Sequence, residues 1–222
     1  MTQIIRISHT LKSEDTVFPG NPKVEITAKH QFEKGDCCNT FEIKFFNHNG
    51  THIDFPNHYV ESGKALNEYE MKDLVFDNPL VLRILKAKGE PIKVSDLEPH
   101  VKNLNTATAL LLITGHQKLR ATPDFSHGPY ITRETATWLR ANAPKLQCIG
   151  LDLLSITSLS SFDEGQDVHR ILLGGKAAPF VIEDMNLLPL EPSHKIKRLF
   201  IAPWFIEKLD GGPCTAFVEV ES

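Results

Sequence analysis

Three histidines and an aspartate crowd one short stretch of this chain, His48-Asn49-Gly50-Thr51-His52-Ile53-Asp54-Phe55-Pro56-Asn57-His58. Imidazole and carboxylate together make the ligand set of a Zn²⁺ or Mn²⁺ site. Spacing decides how they can meet. Gly50 and Pro56 disfavour a continuous helix, since Pro in a helix interior costs about 3 kcal/mol. The pattern predicts a strand ending near Phe46, a turn through Asn49-Gly50, and an extended segment from Thr51. Alternate residues of an extended chain share a face, so His52 and Asp54 point one way while Ile53 and Phe55 pack the other. The turn can fold His48 back beside them, and His48, His52 and Asp54 are the expected ligands of a common metal. A His-rich surface loop is the plainer alternative, against which Gly and Pro stand where they would shape the backbone. Three protein ligands leave a coordination position open, the mark of a catalytic ion.

Two further groups carry little alone. His169 has Leu172 and Leu173 at i+3 and i+4, on the apolar face of a helix, and reads by itself as a core histidine. Glu183 follows the apolar run Phe180-Val181-Ile182, where a strand-end carboxylate can face a cleft or simply sit in a loop. No G-x-S-x-G elbow is present, and Ser155, Ser158, Ser160 and Ser161 read as loop and turn residues rather than nucleophiles.

Nine segments rich in branched or aromatic residues must form the frame: Ile4–Ile7, Val24–Ala28, Phe41–Phe46, Val81–Leu85, Ala109–Thr114, Leu146–Leu151, Phe180–Ile182, Leu199–Ala202 and Ala216–Val220. Phe41-Glu42-Ile43-Lys44-Phe45 alternates, predicting one buried and one wet face. Three helices are expected. One opens on a capping box at Ser95-Asp96-Leu97-Glu98, one starts near Thr132 and is stopped by Pro144, and one runs from about Gln166 to Leu173 before Gly174-Gly175. Strands outnumber helices in mixed order, which predicts an α/β or α+β fold around a mixed sheet or open barrel.

The chain has 222 residues with 24 Lys plus Arg against 28 Asp plus Glu, a net charge of −4, so nucleic acid is not an expected partner. The longest apolar run, Ala109 to Ile113, is too short to span a bilayer, and the N-terminus has no signal-peptide pattern. Cys37, Cys38, Cys148 and Cys214 form no CxxC pattern and read as buried thiols of a reducing compartment. The expectation is a cytoplasmic protein of one domain over residues 1–222.

The stretch His48 to His58 matches the HxGTHxDxPxH signature of the metal-dependent cyclase family, which includes bacterial-type kynurenine formamidase and isatin hydrolase. The resemblance extends along the chain. Phe18-Pro19-Gly20 resembles the family's aromatic-Pro-Gly turn, Gly150-Leu151-Asp152-Leu153-Leu154-Ser155 its G-x-D-x-x-S loop, and His169-Arg170-Ile171-Leu172-Leu173 its H-x-x-L-L helix. Val181-Ile182-Glu183 is similar to its acidic strand end, and Leu209-Asp210-Gly211-Gly212-Pro213 to the turn before its last strand. The resemblance implies one metal on His48, His52 and Asp54, with Asp54 bridging to a second held by His169 and Glu183. It further implies His58 as the acid/base, Phe18 as a wall of the substrate pocket, a swivelling β/β/α domain, and a homodimer or higher homo-oligomer.

The expected activity is therefore that of an amidohydrolase with one or two Zn²⁺ or Mn²⁺ ions, cleaving a C–N bond of a small amide, formamide or lactam. Imidazole titrates near neutrality, so His58 suits a proton shuttle. A lactone hydrolase or true cyclase on the same site is the enzymatic alternative, and a noncatalytic metal-binding protein the alternative of another class.

Overall fold

The computed structural model describes residues 2–157, 159 and 162–221. Its strands run β1 (Thr2–Arg6), β2 (Glu25–His30), β3 (Thr40–Lys44), β4 (His52–Asp54), β5 (Val75–Asp77), β6 (Pro79–Arg83) and β7 (Pro91–Ile92). They continue as β8 (Ala109–Ile113), β9 (Tyr130–Ile131), β10 (Cys148–Leu151), β11 (Phe180–Glu183), β12 (Lys195–Pro203) and β13 (Gly211–Glu221). The helices are α1 (Val94–Leu97), α2 (Val101–Leu104), α3 (Arg133–Asn142) and α4 (Phe162–Leu173).

A mixed sheet runs β5-β12-β13-β4-β11-β10-β8-β6, with β1 also paired to β13. Its two halves differ. β6, β8, β10 and β11 are parallel, and Ala109–Ile113 is buried at every position, as a strand covered on both faces requires. β1, β4, β5, β12 and β13 pair antiparallel. The halves join where β11 meets β4, also antiparallel.

Period-two alternation divides the core between the sheet's faces. Ala109, Leu111 and Ile113 of β8 join Ile53, Phe55, Ile182 and Leu199 on one side. Leu110 and Leu112 join Ile149, Val181 and the helix residues Leu139, Val168 and Leu172 on the other. Each such fully buried side chain contributes roughly 1.5–3 kcal/mol. α4 supplies its share because Gly165, Val168, His169, Leu172 and Leu173 recur at helical spacing and form its buried stripe.

The nine expected strand segments and three helices all appear, with local differences. α4 begins at Phe162, four residues before the expected start. α1 is capped at Lys93, whose backbone N–H donates to Asp96 Oδ2 at 2.7 Å, so Ser95 lies inside the helix. The thiols are not uniformly buried: Cys148 is, while Cys37 is exposed. The largest correction concerns β3, all five of whose residues are exposed. It pairs with β2 alone, in a two-stranded ribbon whose Ile26, Phe41 and Ile43 remain open to solvent. Alternation marks a face suited to burial, but among the described residues nothing buries it. Among the described residues no helix is long and apolar enough to cross a membrane.

Candidate metal centre

The site lies at the junction of the two half-sheets. In β4, His52 and Asp54 share a face and are buried, while Ile53 and Phe55 enter the core behind them. The β11–β4 ladder sets Glu183 directly opposite His52, so strand register alone brings a carboxylate from far along the chain onto this face. α4 packs against the same side of β11 and delivers His169. His48 returns from the turn, where Asn49 N–H donates to the Phe46 carbonyl at 3.0 Å. Gly50 turns that corner at φ +71, and a Cβ there would lie 2.6 Å from Leu11 Cδ1. All six expected site residues from the two strands, the turns and the helix thus converge, and Phe18 lines the same cavity.

The ring orientations are held from outside the centre. His52 donates from Nδ1 to the Gly50 carbonyl at 2.9 Å, leaving Nε2 3.4 Å from both Asp54 Oδ1 and Glu183 Oε2. His169 donates from Nδ1 to the Gly165 carbonyl at 2.9 Å, and its Nε2 stands 3.5 Å from Glu183 Oε1 and 3.8 Å from Asp54 Oδ2. His48 reaches Asp54 Oδ1 with Nδ1 at 2.9 Å and Asp210 Oδ2 with Nε2 at 3.1 Å. His58 donates from Nδ1 to the same Asp210 Oδ2 at 2.6 Å. Glu183 Oε1 accepts from the Ile156 N–H at 2.7 Å and from the Ser155 hydroxyl at 3.1 Å. Tyr59 stacks on the His169 ring at 4.4 Å between centroids.

The donor set fits a divalent cation. Asp54 is 0 % exposed and its Oδ2 has no hydrogen-bond partner. Neighbouring donors around a tetrahedral ion with bonds of about 2.0–2.2 Å lie roughly 3.3–3.6 Å apart. The 3.4 Å spacings from His52 Nε2 to both carboxylates fall in that range. Among the described residues two groups of three donors can close on an ion, His52 with Asp54 and Glu183, and His48 with Asp54 and His58. Asp54 belongs to both, and His48 Nδ1 and His52 Nε2 approach the same oxygen of it, Oδ1, at 2.9 and 3.4 Å.

Charge in the metal-free cluster is balanced by protons. Burial opposes a charged His48 ring, but hydrogen bonds to Asp210 and Asp54 outweigh it and raise its pKa to about 10. Burial likewise opposes protonation of His52 and His169, yet Asp54 raises the first and Glu183 the second. Asp54 and Glu183 are pulled down in spite of burial, Asp54 by the surrounding histidines and Glu183 by His169 and His52. A bound cation would take over this balancing and release protons as it did so.

The cavity measures about 210 Å³, and Phe18, Phe46, Leu154 and Phe162 give it apolar walls. Phe18 and Phe162 lie 6.4 Å apart between ring centroids. Of the loop serines, Ser155 lines the cavity, whereas Ser158, Ser160 and Ser161 lie outside the described residues. Sequence reasoning missed Asp210, Tyr59, Phe46 and Phe162. The only sign of Asp210 was an acid in the Asp-Gly-Gly-Pro turn before the last strand. For Tyr59 the one available signal is its place next to His58 in the chain.

Comparison with known proteins places these features in context. A family model described as putative cyclase matches residues 5–158. The kynurenine formamidase of Geobacillus thermodenitrificans is 29% identical over 219 residues, covering 97% of both chains. Among solved structures, isatin hydrolase A from Labrenzia aggregata, bound to benzyl benzoate, superposes with a TM-score of 0.84 at 18% identity, covering 100% of this chain and 94% of that one. A structure described as a predicted metal-dependent hydrolase from Bacillus stearothermophilus gives 0.76 at 19% identity, covering 99% and 98%. At such identities the two structures speak for the fold.

Proposed function

Since this chain belongs to the putative cyclase family, we propose that it is a metal-dependent hydrolase that cleaves the C–N bond of a small amide, formamide or lactam. The observation that carries this reading is the buried Asp54–Glu183 pair, ringed by imidazoles and holding an unpartnered carboxylate oxygen beside an apolar-walled cavity. Its kinship with a kynurenine formamidase along nearly the whole chain supports the same chemistry.

His52, Asp54 and Glu183 would hold one Zn²⁺ or Mn²⁺, with His169 at its edge. His48 and Asp54 would hold a second, where both positions fill. Such an ion supplies a nucleophilic water at neutral pH and polarises the substrate carbonyl. The chain's own residues do the rest. Phe18, Phe46 and Phe162 seat a flat apolar body and keep bulk water from it. His58 accepts a proton from water as the water oxygen bonds to the carbonyl carbon. It returns that proton to nitrogen as the C–N bond breaks, so amide plus water becomes carboxylic acid plus amine. No covalent bond to the enzyme is formed.

The test is turnover of a panel of aryl formamides, lactams and lactones by metal-loaded and chelator-stripped protein. Metal-dependent hydrolysis of the amide members is expected. Lactone opening alone would reassign the substrate, and metal uptake without turnover would leave a binding protein.

A further inference from the structure

Asp210 lies outside both donor groups, yet its carboxylate meets two rings of the site. Its Oδ2 accepts from His48 Nε2 at 3.1 Å and His58 Nδ1 at 2.6 Å, while its Oδ1 accepts from Asn47 Nδ2 at 2.7 Å. We infer that Asp210 is a positioning residue that sets the tautomer of His58, and with it the ring nitrogen that exchanges a proton with substrate. This inference rests on the hydrolase reading and adds to it the group that makes His58 fit for its role.

Backbone pairing puts Asp210 there. The Phe55 N–H donates to the Asp210 carbonyl at 2.9 Å, and Gly211 stands opposite Asp54 in the β13–β4 ladder. A Cβ on Gly211 would lie 2.5 Å from the Ile53 carbonyl oxygen and 2.9 Å from His48 Cε1, so only glycine lets the two strands close this tightly around His48. His58 is fixed from its own side. It ends a one-turn 3₁₀ segment opened by Pro56, its N–H donating to the Phe55 carbonyl at 2.9 Å. Its ring stacks on His48 with centroids 4.1 Å apart. The stack sets the plane of the ring, and Asp210 sets its rotation.

The chemistry follows from donors and acceptors. An ionised carboxylate only accepts, and a neutral imidazole has one donor nitrogen and one acceptor. Neutral His58 must therefore carry its proton on Nδ1. Nε2, which receives no hydrogen bond from the described residues, is left with a free lone pair. The same oxygen holds a proton on His48 Nε2, so a cation that displaced the proton His48 Nδ1 shares with Asp54 would find the Nδ1 lone pair as a ligand. One carboxylate thus prepares a base on one ring and a ligand on the other, as a carboxylate behind a histidine does at many metal sites.

Asp210→Asn tests this directly. The amide oxygen would be claimed by Asn47, and the NH₂ group would face both rings as a donor, reversing the polarity. On zinc-loaded protein, wild-type His58 should show the Nδ1–H form in ring ¹⁵N NMR, and the variant the Nε2–H form. The variant should keep its bound zinc and a KM within about threefold, while kcat falls ~10²–10⁴-fold. A wild-type His58 in the Nε2–H form would overturn the assignment, and that measurement does not require the variant to fold. An unchanged kcat in Asp210→Asn would overturn it too, as would a loss of rate that merely follows loss of zinc. Should the tautomer switch as expected while the wild type hydrolyses no amide, formamide or lactam, the positioning role stands and the hydrolase reading falls.

Discussion

Glu183 and Asp184 are neighbours in sequence but belong to two buried acidic clusters of opposite kind. Asp184, at φ +49, turns away from the metal centre and meets Arg120, which donates to it from Nε at 2.8 Å and Nη2 at 2.7 Å. The same guanidinium reaches Asp15 through Nη1 at 2.7 Å and Nη2 at 3.1 Å. There the chain supplies its own cation, with a planar fork shaped for carboxylates, and the result fastens the N-terminal segment to the end of β11. On the Glu183 side no Arg or Lys among the described residues pairs with the carboxylates. Asp54 Oδ2 is left unpartnered, and the histidines must hold protons to offset the charge. A buried acidic cluster closed by arginine is complete as a structure. One closed only by imidazoles is prepared for a cation from outside.

The largest effect should come from Asp54→Asn. Metal affinity should fall by well over the ~10–100-fold typical of losing a group behind a ligand, and turnover should fall with it. Metal-free Asp54→Asn protein should lose part of its stability as well, because His48 and His52 lose the carboxylate that holds their protons. Metal affinity and turnover close to those of the wild type would remove Asp54 from the ligand set.

His58→Ala sharpens the division inside the metal centre. Rate should drop ~10²–10⁴-fold while bound metal, measured by elemental analysis, is retained. Loss of metal in proportion to rate would make His58 a ligand.

Arg120→Met attacks the other cluster. Leaving Asp15 and Asp184 buried without their cation should cost about 3–5 kcal/mol in urea unfolding. The fraction that remains folded should bind metal as the wild type does. Loss of metal by the folded fraction would show that the clusters are not independent.

The smallest effect concerns pH. His9 lies 3.8 Å from Asp184, and burial first, then the Arg120 charge, lowers its pKa from 6.5 to about 4. Between those values the unfolded chain binds the proton and the folded chain does not, so stability declines as pH falls from about 6.5 toward 4. His9→Gln should flatten that part of the acid limb of a Tm-against-pH curve. An unchanged limb would show that other groups set it.

Local periodicity made some of this legible and strand pairing hid the rest. His52 and Asp54 could be placed on one face because alternation is a property of the segment itself. The His169 stripe could be read from Leu172 and Leu173 in the same way. Glu183 could be recognised as a strand-end acid, but its position opposite His52 depends on the register between β11 and β4. Asp210 depends likewise on β13 lying against β4, more than 150 residues away in sequence, and no local pattern carries that information. The exposure of β3 shows the converse limit: its alternation is plain, but burial depends on a partner surface that the strand does not encode.

The most direct measurement is titration of chelator-stripped protein with Zn²⁺ and with Mn²⁺, following bound metal, released protons and Tm together. Tight uptake of at least one of these ions is predicted, with protons released as the histidines give up their hydrogen bonds to carboxylates. The gain should reach about 4 kcal/mol of stability at a free concentration 1,000 times the Kd. All three signals should vanish in Asp54→Asn and survive in His58→Ala. Stripped wild-type protein that takes up neither ion, or Asp54→Asn protein that takes them up as well as the wild type, would contradict the metal centre itself.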